Sequence, residues 1–220
     1  MITAILLSGG VGSRMGLSMP KQYLPLAGKP LALHCYKLLK FCPLIAEVIV
    51  VCEPSYQSLF YGARFALPGQ RRQDSLYNGL LEVSQDTNFI LVHDAARPLL
   101  NEDDLEKIIE TGQKVGAATL ATPVKVTIKQ ADENLMVIQT FDRSSLYDIQ
   151  TPQVINKNLL LKGFEKAIEN DLTVPDDVSL VELISHPVQL VMGSYENIKV
   201  TTPEDLPLAE NIIRERTSLL

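Results

Sequence analysis

The stretch ITAILLSGGVGSRMG, residues 2–16, decides the fold. Its first part, residues 2–7, is a short continuous apolar run, which is typical of a strand buried on both faces. The run stops at Ser8-Gly9-Gly10, and more glycines follow. Glycines allow backbone N–H groups to approach a bound phosphate closely. The stretch therefore predicts a buried strand that leads into a loop able to hold an anion.

Charge is distributed unevenly along the chain. The 220 residues carry a formal net charge of -6, yet residues 1–46 contain no aspartate or glutamate. The cations of that segment are Arg14, Lys21, Lys29, Lys37 and Lys40. An acidic chain is not expected to bind nucleic acid or an anionic membrane through its general surface. A cationic segment within such a chain predicts a local site for a small anion.

The cysteines and the hydropathy pattern indicate in which cellular compartment the protein is located. Cys35, Cys42 and Cys52 are odd in number and form no CxxC pair, so they suggest neither a disulfide framework nor a zinc site. The chain has no run of about 18 apolar residues that would predict a membrane helix. Its first apolar run ends in glycines rather than at a signal-peptide cleavage site. We therefore expect a cytoplasmic protein.

Strand and helix patterns alternate along the chain. Apolar runs predict strands at 2–7, 47–52, 88–93, 117–121 and 188–192. Periodicity and capping residues predict helices at 30–41, 73–83, 101–114, 156–169, 177–185 and 203–214. Residues 125–150 are more polar and alternating, which predicts a hairpin apart from the core. The pattern as a whole predicts a single α/β domain over residues 1–220, with a Rossmann-like, doubly wound, mainly parallel sheet and a protruding β-arm.

Two familiar phosphate-binding patterns fail on the glycine loop. A dinucleotide fingerprint would need glycine where Met15 stands. A Walker loop ending at Gly28-Lys29 would need glycine in place of Tyr23 and a hydroxyl residue in place of Pro30. On spacing alone, the loop is either an anion site of another kind or a mobile surface loop with solvated cations.

Two further segments carry candidate site residues. In VHDAARP, residues 92–98, a strand runs directly into Asp94, which places a carboxylate at the same sheet edge as the glycine loop. One or two carboxylates, together with substrate phosphates, commonly hold Mg²⁺, although an aspartate here could equally stabilise a turn. Lys199, within NIKVTT at 197–202, is a lone cation in an apolar context. It is either a site residue or a lysine that reaches the surface along its aliphatic stem.

Four segments together carry a resemblance to a known family. They are SGGVGSRMGLSMPKQYLPLAGKP, VHDAARP, TPQ and ENIKVTTPEDLPLAE, at residues 8–30, 92–98, 151–153 and 196–210. The set resembles the 2-C-methyl-D-erythritol 4-phosphate cytidylyltransferases of the non-mevalonate isoprenoid pathway, over nearly the whole chain and in the same order. The resemblance implies the nucleotidyltransferase fold, CTP and a polyol phosphate as substrates, and Mg²⁺ or another divalent cation.

The resemblance also implies a role for individual residues. The nucleotide would be bound by Ser8, Gly9, Gly10, Gly12, Gly69 and Ser75. The transition state would be stabilised by Arg14 and Lys21, and the metal would be held by Asp94. The acceptor would be surrounded by Arg97, Thr127, Arg143, Thr151 and Lys199. Residues 125–150 would form the arm that interlocks two subunits of a homodimer, so that Arg143 reaches the neighbouring subunit's site.

Two departures from the family pattern are visible. Ser8 and Gly9 replace alanines, which is a mild steric change. Pro175 stands where a threonine commonly precedes the acid pair Asp176-Asp177. Proline supplies neither a hydroxyl nor a backbone N–H group, so contacts to the acceptor at this position are altered.

Three other functions remain open at this point. Ribitol 5-phosphate is an alternative acceptor, and a sugar-1-phosphate nucleotidyltransferase would use another nucleoside triphosphate. A non-catalytic nucleotide-binding module is the third. Retention of Arg14, Lys21, Asp94 and Lys199 argues against that third function, because binding alone does not require cations at the α-phosphate.

Overall fold

The computed structural model describes residues 1–10 and 19–218. The predicted site residues Gly12 and Arg14 lie outside the described residues. The strands are β1 (Ile2–Leu7), β2 (Pro25–Leu26), β3 (Lys29–Pro30), β4 (Glu47–Val51), β5 (Arg64–Ala66), β6 (Phe89–Asp94), β7 (Ala117–Pro123), β8 (Lys129–Ala131), β9 (Val137–Thr140), β10 (Tyr147–Asn156) and β11 (Gln189–Met192). The helices are α1 (Ala32–Phe41), α2 (Arg72–Leu81), α3 (Glu102–Val115), α4 (Lys157–Glu169), α5 (Val178–Glu182) and α6 (Asp205–Ser218).

A seven-stranded sheet organises the molecule, in the order β11-β7-β10-β6-β1-β4-β5. Among its described strands, β10 alone runs antiparallel to its neighbours, β6 and β7. All other pairings in this sheet are parallel. The predicted mainly parallel α/β architecture is therefore confirmed.

Residues of the central strands alternate between two apolar layers. On β1, Ala4 and Leu6 face the layer that holds α1 and α3, whereas Ile5 faces the layer that holds α2, α4 and α5. All three side chains are fully buried. A strand buried on both faces has a continuous apolar sequence, and this pattern at residues 2–7 is why β1 could be predicted.

The register of the central strands brings three loops to one edge of the sheet. Leu7, the last residue of β1, pairs with Asp94 on β6 and with Val51 on β4. The backbone continues this alignment beyond the strands, because Ser8 N donates to Val51 O and Ala95 N donates to Leu7 O. The glycine loop and Asp94 therefore emerge side by side, as predicted.

Several predicted boundaries were wrong, for local reasons. Pro30 was expected to open the first helix, but it pairs with Pro25 in the β2–β3 hairpin and the helix begins at Ala32. The strand β10 extends over residues 147–156, whereas 147–150 were assigned to the hairpin, 151–155 were left unassigned and Asn156 was assigned to the next helix. Strand β5 was missed because it has three residues. The helix predicted at 177–185 is limited to Val178–Glu182.

The predicted hairpin at 125–150 is present as a separate two-stranded sheet, β8 and β9. Exposed apolar side chains cover it: Val126, Leu135, Met136, Val137, Ile138 and Phe141. Within the described parts of the chain, no helix is long and apolar enough to cross a membrane.

Gly163 sets how closely α4 approaches α5. A Cβ atom added there would lie 2.4 Å from the carbonyl oxygen of Leu180. Intrinsic helix propensity favours alanine over glycine by about 1 kcal/mol. However, the Leu180 carbonyl belongs to the backbone and cannot move aside for the added methyl group without a shift of α4 or α5. We expect Gly163→Ala to lower the free energy of unfolding by about 1–3 kcal/mol, measured by urea denaturation. Glu165→Ala, at an exposed position of the same helix, is the control, and an unchanged or more stable Gly163→Ala would contradict this packing.

Candidate active site

Two clefts open at the carboxyl edge of the sheet and share one wall. The glycine-loop cleft, with a volume of about 500 Å³, includes Gly9, Gly10, Lys21, Gly69 and Ser75 in its lining. The β10 cleft, with a volume of about 450 Å³, includes Arg97, Thr151, Gln153, Pro175 and Asp176. Arg72, Asp94 and Lys199 line both. Most of the predicted site residues are thus brought to two adjoining spaces.

Asp94 carries the charge at the junction of the clefts. Its Oδ1 accepts hydrogen bonds from Arg72 Nη2 at 2.8 Å and Nε at 3.1 Å, and its Oδ2 accepts from Lys199 Nζ at 2.5 Å. Burial acts to raise the pKa of this carboxyl, but the two neighbouring cations outweigh burial and hold the pKa well below its usual range. Asp94 is therefore ionised at any physiological pH.

Arg72 is a site residue that sequence reasoning missed. Besides Asp94, it binds Asp177 with two parallel hydrogen bonds, Nη1 to Oδ1 at 2.5 Å and Nη2 to Oδ2 at 2.9 Å. Burial acts to lower the pKa of Arg72, whereas the two carboxylates raise it above its ordinary value. The sequence signal was the arginine pair Arg71-Arg72, which stands between Gly69 and Ser75, the two residues singled out in this segment.

Thr151 fixes the backbone at Asp94. Its Oγ1 accepts a hydrogen bond from Asp94 N at 3.0 Å and lies 3.1 Å from His93 Nδ1, while His93 Nε2 lies 3.0 Å from Arg97 O. Burial lowers the pKa of His93 to about 4, so the ring is neutral at pH 7. The neutral ring donates from Nε2 to the Arg97 carbonyl and accepts the Thr151 hydroxyl at Nδ1. His93 therefore has a structural role rather than that of a base.

Arg97 lies in the β10 cleft, tied to two backbone carbonyls. Its Nη1 donates to Asn197 O at 2.7 Å and its Nη2 donates to Ile149 O at 3.2 Å. Its buried Nε atom has no hydrogen-bond partner among the described residues. The guanidinium is thus oriented by the ends of β10 and of the 197–202 segment.

Two glycines of the first cleft, Gly9 and Gly69, are required by close packing, whereas a Cβ atom on Gly10 would meet no atom within 4 Å. A Cβ atom on Gly9 would lie 2.5 Å from the Pro68 side chain, and one on Gly69 would lie 2.4 Å from Asp74 Cβ. Ser75 shapes the same wall, because its Oγ accepts a hydrogen bond from Gly69 N at 3.0 Å. Ser8 is buried behind the loop. Ser8 does not line the cleft, and its backbone N–H donates to Val51 O at 2.9 Å, so the structure places this predicted residue in support of the loop.

Two predicted acceptor-site residues are not brought to these clefts. Thr127 and Arg143 lie on the arm, where both are exposed, and neither lines the glycine-loop cleft or the β10 cleft. Arg143 Nη1 donates to Lys125 O at 2.9 Å, within the arm. The resemblance implies that Arg143 reaches the site of a neighbouring subunit, and the predicted role of Thr127 at the acceptor remains a prediction.

Comparison with known proteins agrees with this arrangement. Residues 2–215 match the family model described as 2-C-methyl-D-erythritol 4-phosphate cytidylyltransferase. The chloroplastic protein of that name from Oryza sativa subsp. japonica is 51% identical over 98% of this chain and 75% of its own length. The Chlamydia pneumoniae protein of that name is 47% identical over 95% of this chain and 97% of its own length.

A solved structure shows that the likeness extends to three dimensions. The 4-diphosphocytidyl-2C-methyl-D-erythritol synthase structure from Anaerococcus prevotii superposes with a TM-score of 0.86 at 28% identity, covering 97% of this chain and 96% of that one. A sheet edge with two adjoining clefts, the order of the motifs and these matches lead to one conclusion. The chain belongs to the 2-C-methyl-D-erythritol 4-phosphate cytidylyltransferase family.

Proposed function

We propose that the protein transfers the cytidylyl group of CTP to 2-C-methyl-D-erythritol 4-phosphate, forming CDP-methylerythritol and pyrophosphate for isoprenoid precursor biosynthesis. The observation that carries this proposal is the shared wall of Arg72, Asp94 and Lys199 between two clefts. A reaction between two phosphorylated substrates requires two adjoining spaces with cations where they meet. Family membership supplies the identity of the two substrates.

The chemistry needs charge stabilisation more than proton transfer. The acceptor phosphate is mostly dianionic near neutral pH, since its second pKa is about 6, so its oxygen attacks without a general base. A bond forms from that oxygen to the α-phosphorus, and the bond to the bridging oxygen breaks as pyrophosphate leaves. Positioning two anions together is the main obstacle, and preorganised cations remove it.

The glycine-loop cleft is the proposed nucleotide site. Its backbone at Gly9 and Gly10 would hold the phosphates, with Gly12 and Arg14 contributing from outside the described residues. Lys21, which lines this cleft, is proposed to stabilise the charge that develops at the α-phosphate. The wall formed by Gly69 and Ser75 is proposed to hold the cytosine.

The β10 cleft is the proposed acceptor site. Lys199 would hold the acceptor phosphate at the junction, and Arg97 and Thr151, which also line the cleft, would contact the rest of the acceptor. Pro175 also lines this cleft. Because proline has no N–H group, we expect this part of the wall to make apolar contact with the acceptor.

Asp94 is the proposed ligand of Mg²⁺, and the donor set fits a metal that arrives with the nucleotide. Among the described residues no group of three metal-binding side chains occurs, as expected where substrate phosphates complete the coordination. Mg²⁺ would neutralise triphosphate charge when bound. Lys199 pairs with the same Asp94 carboxylate that would bind the metal. It is therefore placed to turn towards an acceptor phosphate when Mg²⁺ and the substrates are bound.

The arm is the proposed contact with a second copy of the chain. Its exposed apolar side chains cover a hairpin that packs on no core of its own, and Arg143 and Thr127 lie beside them. A closed twofold dimer would bury that surface and complete both active sites. We propose a cytoplasmic homodimer, since Cys35, Cys42 and Cys52 are free thiols suited to a reducing compartment.

Substrate identity is tested by pyrophosphate release. We expect release with CTP plus 2-C-methyl-D-erythritol 4-phosphate, loss of activity with EDTA, and recovery when Mg²⁺ is restored in excess. The other nucleoside triphosphates and ribitol 5-phosphate serve as comparison substrates. Efficient turnover of ribitol 5-phosphate without turnover of methylerythritol phosphate would contradict the proposed acceptor.

The bridge made by Arg72 can be tested with a charge-conserving change. Arg72→Lys keeps the cation but removes the planar guanidinium that binds Asp94 and Asp177 together. We therefore expect kcat/KM for the acceptor to fall about tenfold or more. A tenfold fall corresponds to a loss of about 1.4 kcal/mol in transition-state stabilisation. Steady-state kinetics with each substrate varied measures the loss. Arg64→Lys, which alters the exposed pairs with Glu47 and Glu82, is the matched control. Equal kinetics for the two variants would show that the bridge is dispensable.

Exchange of Arg143 between subunits is tested by hybrid dimers. A Lys21→Ala chain and an Arg143→Ala chain are unfolded together and refolded, so that dimers form at random. If Arg143 acts on the neighbouring site, each hybrid has one intact site and one doubly defective site. Half of the dimers are hybrids, so activity should return to roughly a quarter of the wild-type value. No recovery, with hybrids confirmed by native mass spectrometry, would place Arg143 in its own subunit's site or outside the site.

A further inference from the structure

We infer that Gln22 is a positioning residue for the nucleotide loop, an inference that rests on the proposed function. The side-chain amide Nε2 of Gln22 donates to two loop carbonyls, Ser8 O at 2.8 Å and Gly10 O at 2.8 Å. Gln22 is only 3% exposed, so these bonds form away from bulk water. Its amide thus holds the first turn of the loop in one conformation.

Tyr23 supports the same loop from the next position in the chain. Its hydroxyl donates to Ser8 O at 2.8 Å and accepts from Ser8 Oγ at 3.1 Å. The ring stacks on Tyr56, with centroids 3.6 Å apart and planes inclined by 7°. Burial raises the pKa of Tyr23, so the hydroxyl stays protonated and remains a donor. Ser8 O therefore accepts two hydrogen bonds from one short segment.

These bonds have a direct consequence for the loop's own donors. In a trans peptide the C=O and the following N–H point in opposite directions. Because the carbonyl of Ser8 turns towards Gln22 and Tyr23, the N–H of Gly9 turns away from them, and Gly9 lines the glycine-loop cleft. Gln22 thereby aims a backbone donor at the space where we place the nucleotide.

The same segment carries Lys21. Residues Lys21–Tyr23 form a single 3-10 turn, in which Gln22 and Tyr23 are buried, and both Lys21 and Gln22 line the cleft. The loop backbone and the Lys21 cation are therefore held by adjacent residues of one turn. Donors that are oriented before the ligand arrives need no reorganisation on binding. An ordered loop therefore raises the affinity for the nucleotide.

Glutamine suits this position for a chemical reason. Its amide offers two N–H groups, one for each carbonyl, without placing a charge in a buried space. A glutamate of the same size would direct carboxylate oxygens at the two carbonyls. An apolar side chain would remove the donor to Gly10 O and would leave Ser8 O with the Tyr23 hydroxyl as its remaining side-chain donor. Replacement by methionine keeps the length of the side chain and removes the donors.

Gln73 provides a matched control. It is also buried, at 7% exposure, and it also clamps a loop backbone, since Nε2 donates to Leu172 O at 3.0 Å and Oε1 accepts from Val174 N at 2.9 Å. It is not part of the lining of either cleft. Gln73→Met therefore removes the same kind of backbone support at a residue that lines neither cleft.

The experiment compares wild type, Gln22→Met and Gln73→Met. CTP affinity is measured by calorimetry without acceptor, and KM for each substrate, kcat and thermal stability are measured in parallel. We expect Gln22→Met to weaken CTP binding and to raise KM for CTP about tenfold or more, since net hydrogen bonds of this kind carry about that factor. KM for the acceptor should stay within about twofold, and Gln73→Met should lose thermal stability with unchanged CTP affinity.

Several results would overturn the inference. CTP affinity of Gln22→Met equal to wild type would do so, as would an equal loss in Gln73→Met. If Gln22→Met does not fold, Tyr23→Phe is the test, because it removes one donor to Ser8 O and keeps the stacked ring. We expect this variant to bind CTP about two- to fivefold more weakly than wild type. An unchanged CTP affinity would refute the positioning role. A wild-type protein that binds no CTP overturns the proposed function and this inference together, whereas normal turnover with unaffected variants overturns only the inference.

Discussion

A single guanidinium between two buried carboxylates holds the active site together. Asp94 is 7% exposed and Asp177 is 1% exposed, and both accept hydrogen bonds from Arg72. Buried charges are costly unless they are paired, and removal of one partner leaves the others uncompensated. The end of β6, the start of α2 and the segment before α5 are therefore fixed relative to one another, and the walls of both clefts follow from that constraint.

The direction of β10 explains why there are two clefts rather than one. The loops after β1, β4 and β6 emerge at one edge because those strands are parallel. β10 runs the other way, and its middle part brings Thr151 and Gln153 to the same edge. The Gln153 side chain then holds the start of α5, since its Oε1 accepts from Asp177 N and Val178 N. One antiparallel strand thus builds a second space beside the glycine loop.

Sequence reasoning reached the parts of this protein that depend on local pattern. Strands buried on both faces appear as apolar runs, and the glycine loop and Asp94 follow directly from two of them, so these were predicted correctly. The direction of β10 could not be predicted, because pairing is decided by distant partners. Arg72 was missed for the same reason: its two carboxylates lie 22 and 105 residues away, and no periodicity records a contact over such separations.

Hydroxyl and amide side chains around the clefts serve mainly to hold backbone. Thr151 was expected to contact the acceptor, yet its hydroxyl already accepts from Asp94 N, and the Ser75 hydroxyl already accepts from Gly69 N. A hydroxyl oxygen that accepts one hydrogen bond keeps a second lone pair, which a substrate group can use. The presence of Thr151 and Ser75 at these positions is explained by the backbone segments that their hydroxyl groups orient. Gln22 follows the same principle, because its side chain holds the backbone of the glycine loop through Ser8 O and Gly10 O.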